Sequence, residues 1–130
     1  PDRWYGNLST IRQGSHGGYV RAAQNICKCY YNDSSIDVDG YFGPITKSAV
    51  VTYQDGQGLG VDGIVGPNTW RSMNSKLSGY YDSPQVQVGY FKVAYGGGGY
   101  YPTNVFRRLP YDNYKWETYR SGSGWYLVKY

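Results

Sequence analysis

Apolar residues recur at helical spacing in the first half of the chain and at alternating spacing in the second. Val20, Ala23, Cys27 and Tyr30 fall on one face of a helix predicted over 18–31, and Ile45, Ala49, Val50 and Tyr53 do the same over 44–57. Gly58 supplies the stop, as glycine just past a helix end often does. A third helix is predicted from Pro67, with Trp70 and Met73 inward, extending toward Leu77. Beyond Ser78 the period falls to two. Val86, Val88 and Tyr90 alternate, then after a slip near Gly89 so do Phe91, Val93 and Tyr95, which is the pattern a β-bulge leaves in a sequence. Residues 96–99, all glycine, read as a flexible loop, 105–109 and 114–120 as strands, and 121–124 as a hairpin loop into a last strand over 125–130. The expected fold is α+β: a three-helix domain over residues 1–77, then a small tyrosine-rich antiparallel sheet of three or four strands over 78–130. A sheet of 53 residues is marginal alone, so it should pack on the helices. Trp4 and Tyr5 are candidates to dock on the domain as an extended arm.

A repeat organises the helical part. Val38-Asp39-Gly40-Tyr41-Phe42-Gly43-Pro44-Ile45-Thr46 returns 23 residues later as Val61-Asp62-Gly63-Ile64-Val65-Gly66-Pro67-Asn68-Thr69, identical at six of nine positions. Asp-Gly makes a tight turn, because glycine takes positive φ without steric cost and the carboxylate bonds nearby N–H groups. Gly-Pro then starts a helix, since proline at the first helical position lacks only an N–H that would be unpaired there. Each copy reads as turn, short extended piece and helix start. Units of this kind stack because neither buries its apolar face alone.

These motifs carry a family resemblance. The stretches Gly14 to Gly17, Val20-Arg21-Ala22-Ala23-Gln24, Asp39 to Thr46, Ala49-Val50-Val51-Thr52-Tyr53-Gln54, Gly58 to Gly63 and Gly66 to Trp70 stand in the order and spacing of the type 1 peptidoglycan-binding domain. The resemblance covers about residues 8–77 and does not extend to 78–130. It implies a three-helix module of secreted cell-wall hydrolases, with a ligand held in a shallow groove beside the repeated loops. Carried over by position, it implicates Tyr41 and Ile64 after each Asp-Gly, with Asp39 and Asp62 shaping the loops. Arg21 and Gln24 on the first helix are further candidates for polar contacts, or are solvated. Tyr41 is the foremost candidate, because its ring can lie on a sugar face while its hydroxyl bonds. Ala23 and Cys27 stand where the family usually has leucine, so another group must fill that ridge: Tyr30, Tyr31 or an aromatic from the C-terminal third.

Composition changes the picture in three ways. The net charge of +4 is uneven, with seven Lys/Arg against six Asp in residues 1–77 and six Lys/Arg against two Asp and Glu117 in 78–130. The basic part suits anionic partners, such as the carboxylates of stem peptides or teichoic acids; nucleic acid ranks last. Eleven of the 17 tyrosines lie in the last 53 residues, which makes that sheet either an aromatic core or a face for sugars or a protein partner. No apolar run approaches the roughly 20 residues of a membrane span. The chain begins with Pro rather than Met, which reads as a trimmed chain, and the resemblance implies a removed secretory signal and a cell-wall location.

The chemistry points to binding rather than reaction. Cys27 and Cys29, at i and i+2, project about 200° apart on a helix, so a disulfide between them requires distortion there. Cys27 continues the inward stripe and Cys29 lies off it, which gives one buried and one half-exposed thiol, or a disulfide in an oxidising compartment. The single His16 sits in a Gly-Ser-His-Gly-Gly loop and is too few for a zinc hydrolase centre. Glu117 and Asp112 differ by an odd number of residues, which on a strand puts them on opposite sides, against a glycosidase pair. No cofactor or metal is expected. The favoured function is non-catalytic peptidoglycan binding, through glycan or stem peptide. The alternatives are a secreted protein-interaction module or inhibitor acting through residues 78–130, and the accessory part of a cell-wall hydrolase.

Overall fold

The computed structural model describes residues 8–81, 88–109, 112 and 115–129. Three helices, α1 (Gly18–Tyr31), α2 (Pro44–Gly56) and α3 (Pro67–Asn74), precede five strands: β1 (Leu77–Tyr81), β2 (Gly89–Val93), β3 (Phe106–Leu109), β4 (Lys115–Arg120) and β5 (Gly124–Lys129). The strands form one antiparallel sheet in chain order, so the chain is α+β. Helices α2 and α3 both start at proline after an extended glycine, Gly43 or Gly66. Helix α1 ends where Asn32 turns left-handed at φ 49°. The Asn32 and Asp33 N–H groups there close onto the Cys29 and Lys28 carbonyls at 3.3 and 2.9 Å, satisfying helix-end acceptors.

Several boundaries depart from expectation. Helix α3 stops at Asn74 as its last turn tightens, with the Ser75 N–H shared between the Arg71 and Ser72 carbonyls at 3.2 and 3.1 Å and the Lys76 N–H reaching back three residues to Met73 at 3.1 Å. Leu77 then opens β1, a fifth strand where three or four were expected. Its pairing with β2 runs unbroken from Leu77↔Val93 to Tyr81↔Gly89, and among the described residues a register shift lies instead between Trp116 and Glu117, opposite β5. The stretch of the expected bulge before Val88, including Val86, lies outside the described residues, as do Trp4 and Tyr5. Gly79 in β1 is required by a close approach: a Cβ there would come 2.3 Å from Phe91 Cδ1 and 2.5 Å from the Tyr90 carbonyl oxygen.

Helix α1 is the centre of the molecule. Eight of its 14 residues are buried, because α2 covers one side and β4 and β5 cover the other. The core runs through both parts, joining Val20, Ile26 and Cys27 to Val50, Tyr53 and Trp70 and to Phe106, Trp116 and Val128. The half-buried Tyr30 packs against this core, its ring 5.7 Å from that of Tyr53. Polar links follow the same path. Asn25 Nδ2 donates to Thr118 Oγ1 and to the Tyr119 carbonyl, both at 2.8 Å, and Arg120 grips Asp37 with two nitrogens at 3.1 and 2.7 Å. At the start of α1, a Cβ on Gly18 would lie 2.0 Å from the Leu127 carbonyl oxygen.

Two readings are corrected. Cys29 is buried rather than half-exposed, since the face of α1 away from α2 meets the sheet; both thiols are free. Burial pushes each thiol up to about 12, so both stay protonated at neutral pH. Ile45, expected inward, is 61% exposed. The inward positions of α2 are Thr46, Val50, Tyr53 and Gln54, one step out of phase with the expected stripe at its start.

Candidate functional site

Each repeat is built as the same polar clasp. In the first, Gln24 Nε2 lies within 3.0 Å of Asp39 Oδ1 and 2.9 Å of both the Tyr41 carbonyl and Thr46 Oγ1, while its Oε1 accepts the Gly40 N–H at 2.9 Å. Asp39 Oδ1 also accepts the Tyr41 N–H at 2.9 Å. In the second, Gln54 Nε2 lies 3.0 Å from Asp62 Oδ1, 2.9 Å from the Ile64 carbonyl and 3.1 Å from Thr69 Oγ1. Its Oε1 accepts the Asp62 and Gly63 N–H groups at 3.1 and 2.9 Å, and Asp62 accepts the Ile64 N–H at 2.9 Å. A buried glutamine thus replaces water for a turn that has left regular structure. The Gly40 and Gly63 φ values of 82° and 73° are the reason glycine follows each aspartate.

The clasps decide where each candidate residue stands. Gln24 is 1% exposed with its amide engaged in the clasp, so it is not solvated. Asp39 and Asp62 shape the loops, and bonds from the Ile64 N–H and Gln54 hold the Asp62 carboxyl below the usual range. Arg21 is half-buried; its Nη1 donates to the Val38 carbonyl at 2.5 Å and its guanidinium lies 3.8 Å from the Tyr126 ring centre. Ile64 is half-buried. Tyr41 is 70% exposed, on a strand-like segment held by Gly14, Ser15 and Gly17 backbone bonds to Phe42 and Gly40. His16 is exposed beside it, the rings 6.4 Å apart. Gln54, Thr46 and Thr69 are parts of the clasps that sequence reasoning missed. The signal was present, because Val-Arg-Ala-Ala-Gln and Val-Val-Thr-Tyr-Gln both end in the glutamine that closes a clasp.

Tyr41 and Ile45 flank a groove of about 240 Å³ floored by the first clasp and walled by Ser35, Asp37 and Pro44. It offers ring and aliphatic surface beside carbonyl and carboxylate acceptors, on backbone fixed by buried bonds. That arrangement can hold an amphipathic ligand. Among the described residues no cluster of three His, Cys, Asp or Glu could hold a metal ion, and no helix is long and apolar enough to cross a membrane. Asp112 and Glu117 do not face apart as expected, because Asp112 lies in the turn before β4; Lys115 reaches both, at 2.7 and 3.6 Å, and Arg107 holds Glu117 at 2.7 Å.

Residues 16–73 match the family described as "Putative peptidoglycan binding domain". An uncharacterized protein in the bpoA1 3′ region of Kitasatospora aureofaciens is 40% identical over 84 residues, which cover 60% of this chain and 70% of that one. The zinc D-Ala-D-Ala carboxypeptidase of Streptomyces albus G is 41% identical over 71 residues, 54% of this chain and 27% of that enzyme. The N-acetylmuramoyl-L-alanine amidase CwlM of Mycobacterium tuberculosis is 49% identical over 45 residues, 32% of this chain and 11% of that one. The chain therefore spans about a quarter or less of the two enzymes.

Proposed function

Because the chain belongs to the peptidoglycan-binding domain family through residues 16–73, we propose that it binds peptidoglycan outside the cell without cleaving it. Tyr41 is the main contact. The observation that carries this reading is a large, 70% exposed aromatic ring on a loop whose backbone is locked by Gln24 and Asp39. Exposed rings held on rigid backbone lose little entropy on binding. Within the proposed division, residues 1–77 hold the wall and residues 78–130 form a basic subdomain packed on them.

Two further readings have particular support. The named carboxypeptidase and amidase match only over a minor share of their length, which favours the chain as the binding part of a cell-wall hydrolase. On the sheet, the Arg107 guanidinium lies 4.3 Å from the Trp125 ring centre, and that ring packs edge-on to Tyr119 at 5.3 Å. This cluster favours a protein partner for residues 78–130.

The test is cosedimentation of the whole chain with insoluble peptidoglycan. Wild type should pellet, and Tyr41→Ala should weaken binding by about tenfold, the scale of losing an aromatic anchor, with an unchanged unfolding midpoint. Pelleting that ignores Tyr41→Ala would move the site elsewhere, and release of soluble fragments from labelled wall would overturn the non-catalytic reading.

A further inference from the structure

We infer that the groove beside Tyr41 is one end of a longer channel along α2, completed by the glycine-rich loop of the sheet, and that its ligand is a neutral linear glycan. This rests on the peptidoglycan-binding reading and adds to it the substrate class and a second contributing part of the chain.

Continuity is the first observation. The groove beside Tyr41 shares Ser35 and Ile45 with a second cavity of about 410 Å³. That cavity shares Tyr31 with a third of about 310 Å³, bounded by Gly56 and Tyr95. Ile45, Ala49, Thr52 and Gly56 succeed one another at three- and four-residue steps, so one face of α2 lines the whole course. Helix α2 has 13 residues, and at 1.5 Å per residue the path is roughly 20 Å, long enough for several sugar rings.

The far end is constructed by the sheet. Gly96 N–H donates to the Tyr30 carbonyl at 2.8 Å, which ties the loop after β2 to the last turn of α1. A Cβ on Gly97 would sit 2.5 Å from the Tyr95 ring, so glycine there lets that ring fold over the loop. Tyr95 remains 39% exposed. Exposed rings therefore stand at both ends, Tyr41 from the helical part and Tyr95 from the sheet.

Charge selects the ligand. Among the described residues no Lys, Arg or His lines any of the three cavities, whereas Asp33, Asp37 and Asp39 do. Three cations bond to lining residues without lining a cavity themselves: Arg120 to Asp37, Lys28 to the Ile36 carbonyl at 3.1 Å, and Lys76 to Gln57 Oε1 at 2.8 Å, with Lys76 also over the Tyr30 ring at 5.1 Å. A lining of this kind, with carboxylate and carbonyl acceptors and no cation of its own, offers the free carboxylates of stem peptides no direct partner. Ser48 and Thr52 hydroxyls with tyrosine rings instead match the hydroxyls and apolar faces of uncharged sugars.

The experiment is calorimetric titration of the whole chain with β-1,4-linked N-acetylglucosamine oligomers, from disaccharide to hexasaccharide, and with a stem pentapeptide. Wild-type affinity should rise by about tenfold or more with oligomer length, as successive contacts add. Tyr95→Ala should abolish that rise while leaving disaccharide affinity intact, and Tyr95→Phe should keep it. Thr52→Arg, at an exposed helix position in mid-channel, should also abolish it and guards against a folding defect in the loop variant. Length dependence untouched by both variants, or a pentapeptide bound more tightly than the sugars, overturns the channel. If wall pelleting still depends on Tyr41 in that case, the peptidoglycan reading stands alone; if nothing binds, both fall.

Discussion

At the residue scale, the two glutamines carry more of the fold than their surface-compatible chemistry suggests. Replacing Gln24 with leucine keeps the volume but leaves the Gly40 N–H without its partner and the Tyr41 carbonyl with only the longer bond from the Thr46 hydroxyl at 3.3 Å. Unsatisfied buried groups cost about 1–3 kcal/mol each, so Gln24→Leu should destabilise the chain by about 3 kcal/mol. Gln54→Leu should cost more, because Gln54 Oε1 accepts two N–H groups where Gln24 Oε1 accepts one. Urea midpoints of both variants test the order, and equal or negligible losses would show that water replaces the amide freely. Gln24→Leu should also weaken wall binding by loosening Tyr41, whereas Tyr41→Ala should weaken binding and leave stability alone. The aspartates and Tyr41 were legible in the sequence because turn chemistry is local. The clasp role of the glutamines is not legible in the sequence, since their partners lie 8 to 22 residues away and meet them only once α1 and α2 are in place.

At the element scale, punctuation decided what could be read. Helix α1 occupies the expected span, and α2 and α3 start where Gly-Pro places them, because glycine and proline act through their own backbone. Strand β1 was missed for the opposite reason: its five residues include Gly79 and owe their extended form to pairing with β2. Tertiary contact can likewise reverse a propensity. Ala is favoured over Gly in helices by about 1 kcal/mol, yet Gly18→Ala would set a methyl 2.0 Å from the Leu127 carbonyl oxygen, backbone against backbone. Helix α1 and β5 would have to part, and overpacking of this kind costs about 1–3 kcal/mol. A lowered thermal midpoint is the expected result, and a rise would mean that β5 yields without cost. Alanine at Gly60, where nothing lies within 4 Å and φ is ordinary, should instead gain about 0.5 kcal/mol.

At the scale of the whole molecule, the question is whether the proposed parts 1–77 and 78–130 also unfold as parts. Composition breaks sharply at Ser78, and sequence alone invites a boundary there. Physical contact argues for one unit, since α1 is buried between α2 and the sheet and a single cluster joins Trp70 to Trp116 through it. Asn25 adds a polar tie whose loss would leave Thr118 and the Tyr119 carbonyl short of a buried donor. Helix ellipticity and the fluorescence of Trp125 in the sheet, isolated by replacing the other tryptophans with phenylalanine, should therefore follow one transition in urea. Asn25→Ala should lower both midpoints together, by an amount equivalent to about 2 kcal/mol. A sheet signal that melts early while helix signal persists would give the boundary thermodynamic meaning. A single transition would instead explain how a tyrosine loop on the sheet can be held rigidly enough to finish a groove that begins on a helix.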